Sequence, residues 1–145
     1  MNEQVSMEPR VCRFCAAMTS RVIASNALAV AIRDAFPVTP LHSLVITRRH
    51  VADFFGLTAK EREACAELLH RLRTEILRDD ASVEGFNIGM NVGEVAGQTL
   101  FHSYIHLIPR RRGDAESPRG GVRLVVPGGQ GRLDVCPFSQ DADKA

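Results

Sequence analysis

His102, Tyr104 and His106 stand two residues apart in the run Phe101-His102-Ser103-Tyr104-Ile105-His106-Leu107. An extended chain repeats its side-chain direction every second residue, so the three are expected on one face of a strand, with Phe101, Ile105 and Leu107 behind them. Polar aromatic groups crowded onto an apolar strand are costly to bury without partners. A single strand histidine is usually a satisfied structural residue, but two of them flanking a phenol mark a site. Neutral imidazole can act near neutral pH as nucleophile, general base or metal ligand, and His42 and His50 are further imidazoles for the same site.

Three other clusters carry potential chemistry. Cys12-Arg13-Phe14-Cys15 is half a zinc site, a redox pair or a coincidence of spacing. No thioredoxin-like strand-helix unit surrounds it, so zinc stands slightly ahead of two free thiols. Asn91-Val92-Gly93-Glu94-Val95-Ala96-Gly97-Gln98-Thr99 offers glycines for close backbone approach and neutral donors that suit a phosphate oxygen. A plain hairpin connection explains it equally well. Arg110, Arg111, Arg112, Arg119 and Arg123 read as a solvated face from which one or two could reach a polyphosphate. No aromatic platform interleaves with them, so nucleic acid is not an expected partner.

The elements that must position these groups follow from periodicity and turn chemistry. Leu28–Ile32 and Ser43–Thr47 read as strands, separated by Phe36-Pro37-Val38-Thr39-Pro40, which two prolines hold extended. Thr58-Ala59-Lys60-Glu61 is a capping box. It opens a long helix whose apolar stripe is Cys65, Leu68, Leu69, Leu72 and Ile76. Gly85 opens a strand from Phe86 to Asn91, and Gly93 and Gly97 bracket the turn into the strand of the polar aromatics. The expected fold class is α+β, an antiparallel sheet covered by one long helix.

The chain of 145 residues carries a formal net charge of +1, which excludes a global field toward nucleic acid or anionic membranes. One domain over 1–138 with a frayed tail over 139–145 fits that length. No secretory segment is visible and no apolar run approaches the roughly 20 residues that span a bilayer, so a cytoplasmic protein without a membrane partner is expected. Cys65 belongs to the helical core pattern, and Cys136 receives no role.

Gly97-Gln98-Thr99-Leu100-Phe101-His102-Ser103-Tyr104-Ile105-His106-Leu107-Ile108-Pro109-Arg110 closely resembles the framing of the histidine triad family. The likeness extends to the CxxC, the Phe36–His42 approach, Arg49-His50, Phe86-Asn87-Ile88, and the tail Gly113-Asp114 with Pro118–Arg123 of a bacterial branch. The resemblance implies a homodimer sharing a sheet across its interface. It also implies nucleotide hydrolases or nucleotidyl transferases acting at the α-phosphate of AMP esters, amidates and dinucleoside polyphosphates, through a nucleotidyl-histidine on the middle histidine. By position, Asp34 resembles the ribose-binding residue, and Asn91, Gln98, Thr99 and His106 resemble the α-phosphate contacts. His42 matches the histidine beside the active site. Some members hold zinc through residues that match Cys12, Cys15, His50 and His102.

The nucleophile's position is Tyr104. An unperturbed phenol has a pKa near 10, leaving about a thousandth ionised at pH 7. A tyrosyl ester also lacks the easily expelled protonated imidazole of a nucleotidyl-histidine. Three readings follow: a nucleotide-processing enzyme with altered chemistry, a nucleotide-binding protein of weak or no turnover, and a zinc-stabilised interaction module. The retained Asp34, Asn91, Gln98, Thr99 and His106 argue against the third.

Overall fold

The computed structural model describes residues 12–126. Up to Arg112 the elements are α1 (Arg13–Ala17), β1 (Val22–Ser25), β2 (Ala29–Arg33), β3 (Ser43–Thr47), α2 (Ala59–Asp79), β4 (Val83–Gly89) and β5 (Tyr104–Arg111). The five strands make one sheet in the order β1-β2-β3-β5-β4, with every neighbouring pair antiparallel. With α2 packed on one face, this is the α+β arrangement the periodicity implies. From Gly113 the described chain contains one 3-10 turn, Gly121–Val125, in which Val122, Leu124 and Val125 are exposed.

Strand β3 is the centre of the sheet and all five of its residues are buried. It pairs with β2 through Val30↔Ile46 and Ile32↔Leu44, and with β5 through Leu44↔His106 and Ile46↔Tyr104. Its alternation sends Val45 toward α2 and Leu44 and Ile46 to the opposite face. Under α2, Cys65, Leu68, Leu72 and Ile76 meet Ala29, Ala31, Val45 and Leu107. The alanines of β2 let the helix approach closely, and each buried leucine stabilises the fold by about 2 kcal/mol.

The helix starts where its capping box places it. Thr58 Oγ1 accepts the Glu61 N–H at 3.2 Å, and the Glu61 carboxylate accepts the Thr58 N–H at 2.8 Å. The same carboxylate takes two hydrogen bonds of 2.8 Å from Arg49, just past the end of β3. One buried side chain thus caps the helix and ties it to the sheet.

Three local expectations are corrected. Strand β1 stands where no strand was expected: only Ala24 of its four residues is buried, so its alternation is faint. Asn26 closes the β1–β2 turn, accepting the Ala29 N–H at 2.9 Å and donating to the Ala64 carbonyl on α2 at 2.8 Å. Strand β4 runs Val83–Gly89 rather than from Phe86 to Asn91, with a register shift between Val83 and Gly85. Finally, β5 begins at Tyr104, so His102 lies outside the strand. The Ser103 N–H donates to the Val51 carbonyl instead, and Phe101 is exposed. The tail over 139–145 and Cys136 lie outside the described residues.

The Arg49 contact, assisted by Thr58, holds the Glu61 carboxyl down from an ordinary 4.5 to about 2. Its contribution to stability is therefore full above pH 4.5 and is lost as pH falls toward 2. Glu61→Gln should cost about 2 kcal/mol at neutral pH. In urea titrations the gap from wild type should narrow below pH 4.5; a gap constant with pH would deny the carboxylate's charge this role.

Candidate active site and metal centre

Two groups of side chains lie on either side of Tyr104. The first joins α1, the end of β3 and the approach to β5. Cys12 Sγ lies 3.5 Å from His102 Nδ1, Cys15 Sγ 3.6 Å from the same atom, and Cys15 Sγ 3.5 Å from His50 Nδ1. All four ligand atoms fall within 4.8 Å of one another. Tetrahedral zinc with its usual bond lengths of about 2.3 Å to sulfur and 2.0 Å to nitrogen requires sulfur–nitrogen edges of roughly 3.5 Å. These residues therefore fit zinc, and could hold it.

The ring of His102 is oriented for that role. It is fully buried, and its Nε2–H donates to the Thr47 carbonyl at 2.7 Å. This bond selects the tautomer whose Nδ1 lone pair faces the cysteines, as in metal sites where a carbonyl holds the far side of a ligating imidazole. Burial also pushes the His102 pKa down, favouring the neutral ligand form. Burial, followed by the neighbouring Cys12, pushes the Cys15 thiol up. A bound dication would reverse that effect and favour the thiolate.

The second group centres on His42, which is buried beside the N-terminal end of β3. Its Nδ1 accepts the Val38 N–H at 3.2 Å, so its proton sits on Nε2, which lies 2.9 Å from His106 Nδ1. That in turn places the His106 proton on its own Nε2. Asp34 Oδ2 lies 3.5 Å from His42 Nε2 and 3.9 Å from His106 Nδ1. These three ligand atoms also lie within 4.8 Å of one another, but His42 Nε2 has no lone pair for a cation while Val38 holds Nδ1. The arrangement suits a chain of directed donors better than a second metal.

The local backbone is bent to make this chain. Leu41 adopts φ 69°, a left-handed conformation costing about 1–2 kcal/mol for a residue with a β-carbon. Its side chain packs on the core beneath α2, and its carbonyl accepts from Arg33 Nη1 at 3.2 Å. Burial pushes His42 and His106 pKa values down, the latter further through His42, while Asp34 opposes both shifts only partly.

Tyr104 sits between the two groups at 8% exposure. Its ring meets Phe14 edge-on at 4.9 Å and His106 at 5.2 Å. Beyond it, the loop of Asn91 to Thr99 is braced internally. Gln98 is buried; its Nε2 donates to the Ala52 and Leu100 carbonyls and its Oε1 accepts the Gly93 N–H. Its amide therefore shapes the loop rather than reaching outward. Asn91 Nδ2 donates to the Gly97 carbonyl at 3.3 Å, and Thr99 is exposed. Gly93 and Gly97, both at φ 87°, supply the turns.

The HIT domain pattern matches residues 16–113. The chain belongs to the histidine triad family. An uncharacterized HIT-like protein of Mycoplasma genitalium is 36% identical over 103 residues, covering 68% of this chain and 72% of that protein. The AP-4-A phosphorylase of Mycobacterium tuberculosis is 33% identical over 109 residues, covering 72% of this chain and 54% of the enzyme. A HIT family protein of Bacillus anthracis superposes with a TM-score of 0.67 at 32% identity, covering 74% of this chain and 78% of that one. The family comprises nucleotide-binding hydrolases and transferases, and no helix among the described residues is long and apolar enough to cross a membrane.

Within this family frame, the structure brings Cys12, Cys15, His50 and His102 together, and separately Asp34, His42 and His106. The arginines are largely occupied: Arg110 with Asn87, Arg111 with Asp80 and the Pro40 carbonyl, and Arg112 with Glu84. Sequence reasoning gave no role to Phe14 or to the Val38 N–H that fixes the His42 tautomer. An aromatic residue inside a CxxC was a signal for the first; the second had none.

Histidines held below the ordinary 6.5 contribute full stability only above that pH, because the unfolded chain binds protons more readily below it. The melting temperature should therefore fall on acidification below pH 6.5, and a His42→Gln/His106→Asn variant should fall less steeply. Parallel curves for the two proteins would show that this chain is not what acid disrupts.

Proposed function

We propose that this protein is a nucleotidyl hydrolase or transferase of histidine triad type, acting at the α-phosphate of AMP esters, amidates or dinucleoside polyphosphates, with Tyr104 in the nucleophile's place. The observation that carries this reading is the ordered chain Val38 N–H, His42, His106, which leaves His106 with an Nε2–H donor beside Tyr104. A donor fixed in a site partly shielded from water favours negative charge developing on a phosphoryl oxygen. In the first step the Tyr104 oxygen bonds to the α-phosphorus while the bond from phosphorus to the leaving oxygen or nitrogen breaks. The phenolic proton passes to the leaving group or to solvent. Water then forms its own bond to phosphorus as the phosphorus–tyrosyl bond breaks, and a water proton returns to the phenolate oxygen.

The same hydrogen bonds make that turnover slow. Both Nδ1 lone pairs are occupied, His42 by Val38 and His106 by His42, so neither imidazole offers a free base to the phenol. A second reading, a nucleotide-binding protein of weak or no turnover, is favoured by that same lack of a free base beside the phenol. Zinc at Cys12, Cys15, His50 and His102 is proposed as a structural cofactor. A homodimer pairing across the exposed edge of β4 is proposed as the assembly, to be read from native mass. Localisation in the cytoplasm remains part of the proposal.

Intact-mass measurement after incubation with an AMP amidate or a diadenosine polyphosphate tests the reading. A nucleotidyl adduct is expected that is absent in Tyr104→Phe, and Tyr104→His should raise hydrolysis. A gain of about tenfold, equivalent to ~1.4 kcal/mol of barrier, would identify position 104 as the nucleophile's. Nucleotide binding with neither adduct nor product, and no gain in Tyr104→His, would favour the binding protein instead.

A further inference from the structure

Helix α1 is five residues long, and its N-cap Cys12 makes no side-chain capping bond. A helix of that length does not persist on its own backbone hydrogen bonds. Contacts outside it hold it in place, including those of the partly buried Ala17 and Met18 on the sheet face of Tyr104. The thiols of Cys12 and Cys15 converge on His102 and His50, and Phe14, between them in sequence, is buried on the sheet face that carries Tyr104. The Phe14 ring lies edge-on to Tyr104 at 4.9 Å and to His102 at 6.0 Å. The two cysteines that fit zinc and the phenylalanine that packs on Tyr104 therefore share one turn of chain.

We propose that metal ligation by Cys12, Cys15, His50 and His102 holds Phe14 against Tyr104, so that occupancy of the metal centre sets how deeply the phenol is buried. Phe14 is then a positioning residue for Tyr104. The inference rests on the zinc reading above and adds a coupling between the two sites. With a thiophilic dication bound, two bonds from Cys12 and Cys15 and two from His50 and His102 would tie α1 to the sheet. Without it, two backbone hydrogen bonds, weak thiol hydrogen bonds and the packing of Phe14 with the partly buried Ala17 and Met18 oppose fraying of the helix. Movement of Phe14 then opens Tyr104 to water while β3 and β5, which pair through backbone bonds, keep their register. A structural metal would in this way determine the solvation of the position where α-phosphate chemistry is proposed.

The chain provides its own reporter, since Tyr104 is the only tyrosine and there is no tryptophan. Tyrosine emission and its quenching by iodide should be measured on the full chain as loaded with zinc, after stripping with a chelator, and after zinc is restored. Metal content and far-ultraviolet circular dichroism are read on each sample. The quenching constant should rise on stripping toward that of the unfolded chain and return with zinc, with the helical signal of α2 preserved. Phe14→Ala should retain zinc and yet show the quenching of the stripped protein, whereas Phe14→Leu should restore the shielding in large part.

The failures are distinguishable. Wild type that takes up no zinc, or as much as Cys12→Ser does, would overturn the metal reading and this proposal with it. Zinc bound through Cys12 with Tyr104 quenching unchanged on stripping would overturn the coupling alone. If stripping unfolds the whole chain, the zinc-loaded Phe14→Ala protein decides: quenching like wild type overturns the coupling, and quenching like the unfolded chain supports it.

Discussion

The burial of β3 is the constraint on which the remaining arrangement depends. A strand with no exposed residue needs partners on both edges and cover on both faces. It obtains them from β2, β5, α2 and the cluster around Phe14. The groups with chemical potential cluster about its two ends. His42 immediately precedes it, Arg49 and His50 follow it, and the Thr47 carbonyl at its last residue orients His102. Because the strand cannot slip without exposing Leu44, Val45 or Ile46 on the wrong face, the donor chain and the metal ligands keep a fixed separation. Tyr104 lies between them by its pairing with Ile46.

Locally encoded features were legible in the sequence. The capping box and apolar stripe of α2 depend on residues three and four apart; the helix starts where expected and buries Cys65, Leu68, Leu72 and Ile76, with Leu69 only half-buried beside them. The strand Ser43–Thr47 was plain because both faces are apolar. What was hidden depends on contacts distant in sequence. Strand β1 is an edge strand with one buried residue, so its alternation carries almost no signal. Strand β5 begins at Tyr104 because Ser103 pairs with Val51 rather than with β3, a bond that no spacing of residues announces. The candidate site was legible as a set of residue types: the cysteines and histidines could be grouped by resemblance. Its protonation could not, since the tautomers follow from Val38 and Thr47 backbone groups. Gln98 illustrates the gap, since its amide looks available to a phosphate in sequence and is engaged by Gly93, Leu100 and the distant Ala52.

The two clusters handle their imidazoles in opposite ways. At His102 the donor nitrogen is bonded to a carbonyl and the lone pair is offered inward to the thiols. At His106 the lone pair is occupied by His42 and the N–H is offered outward. Both are buried enough to disfavour protonation, so their difference lies in which nitrogen carries the proton rather than in charge. The tyrosine between the two sites is shielded from water, its ring packed against Phe14 on one side and His106 on the other.

The left-handed Leu41 links regions that otherwise look independent. Its conformational cost is offset by the side chain reaching the core beneath α2, so the position of the adjacent His42 is referenced to that core. Glycine would relieve the backbone and remove the anchor together, two effects of similar size and opposite sign. Sequence drift at this turn is then restrained by geometry even where stability is unchanged. Repacking under the helix would be transmitted to the histidine pair on the other side of the sheet.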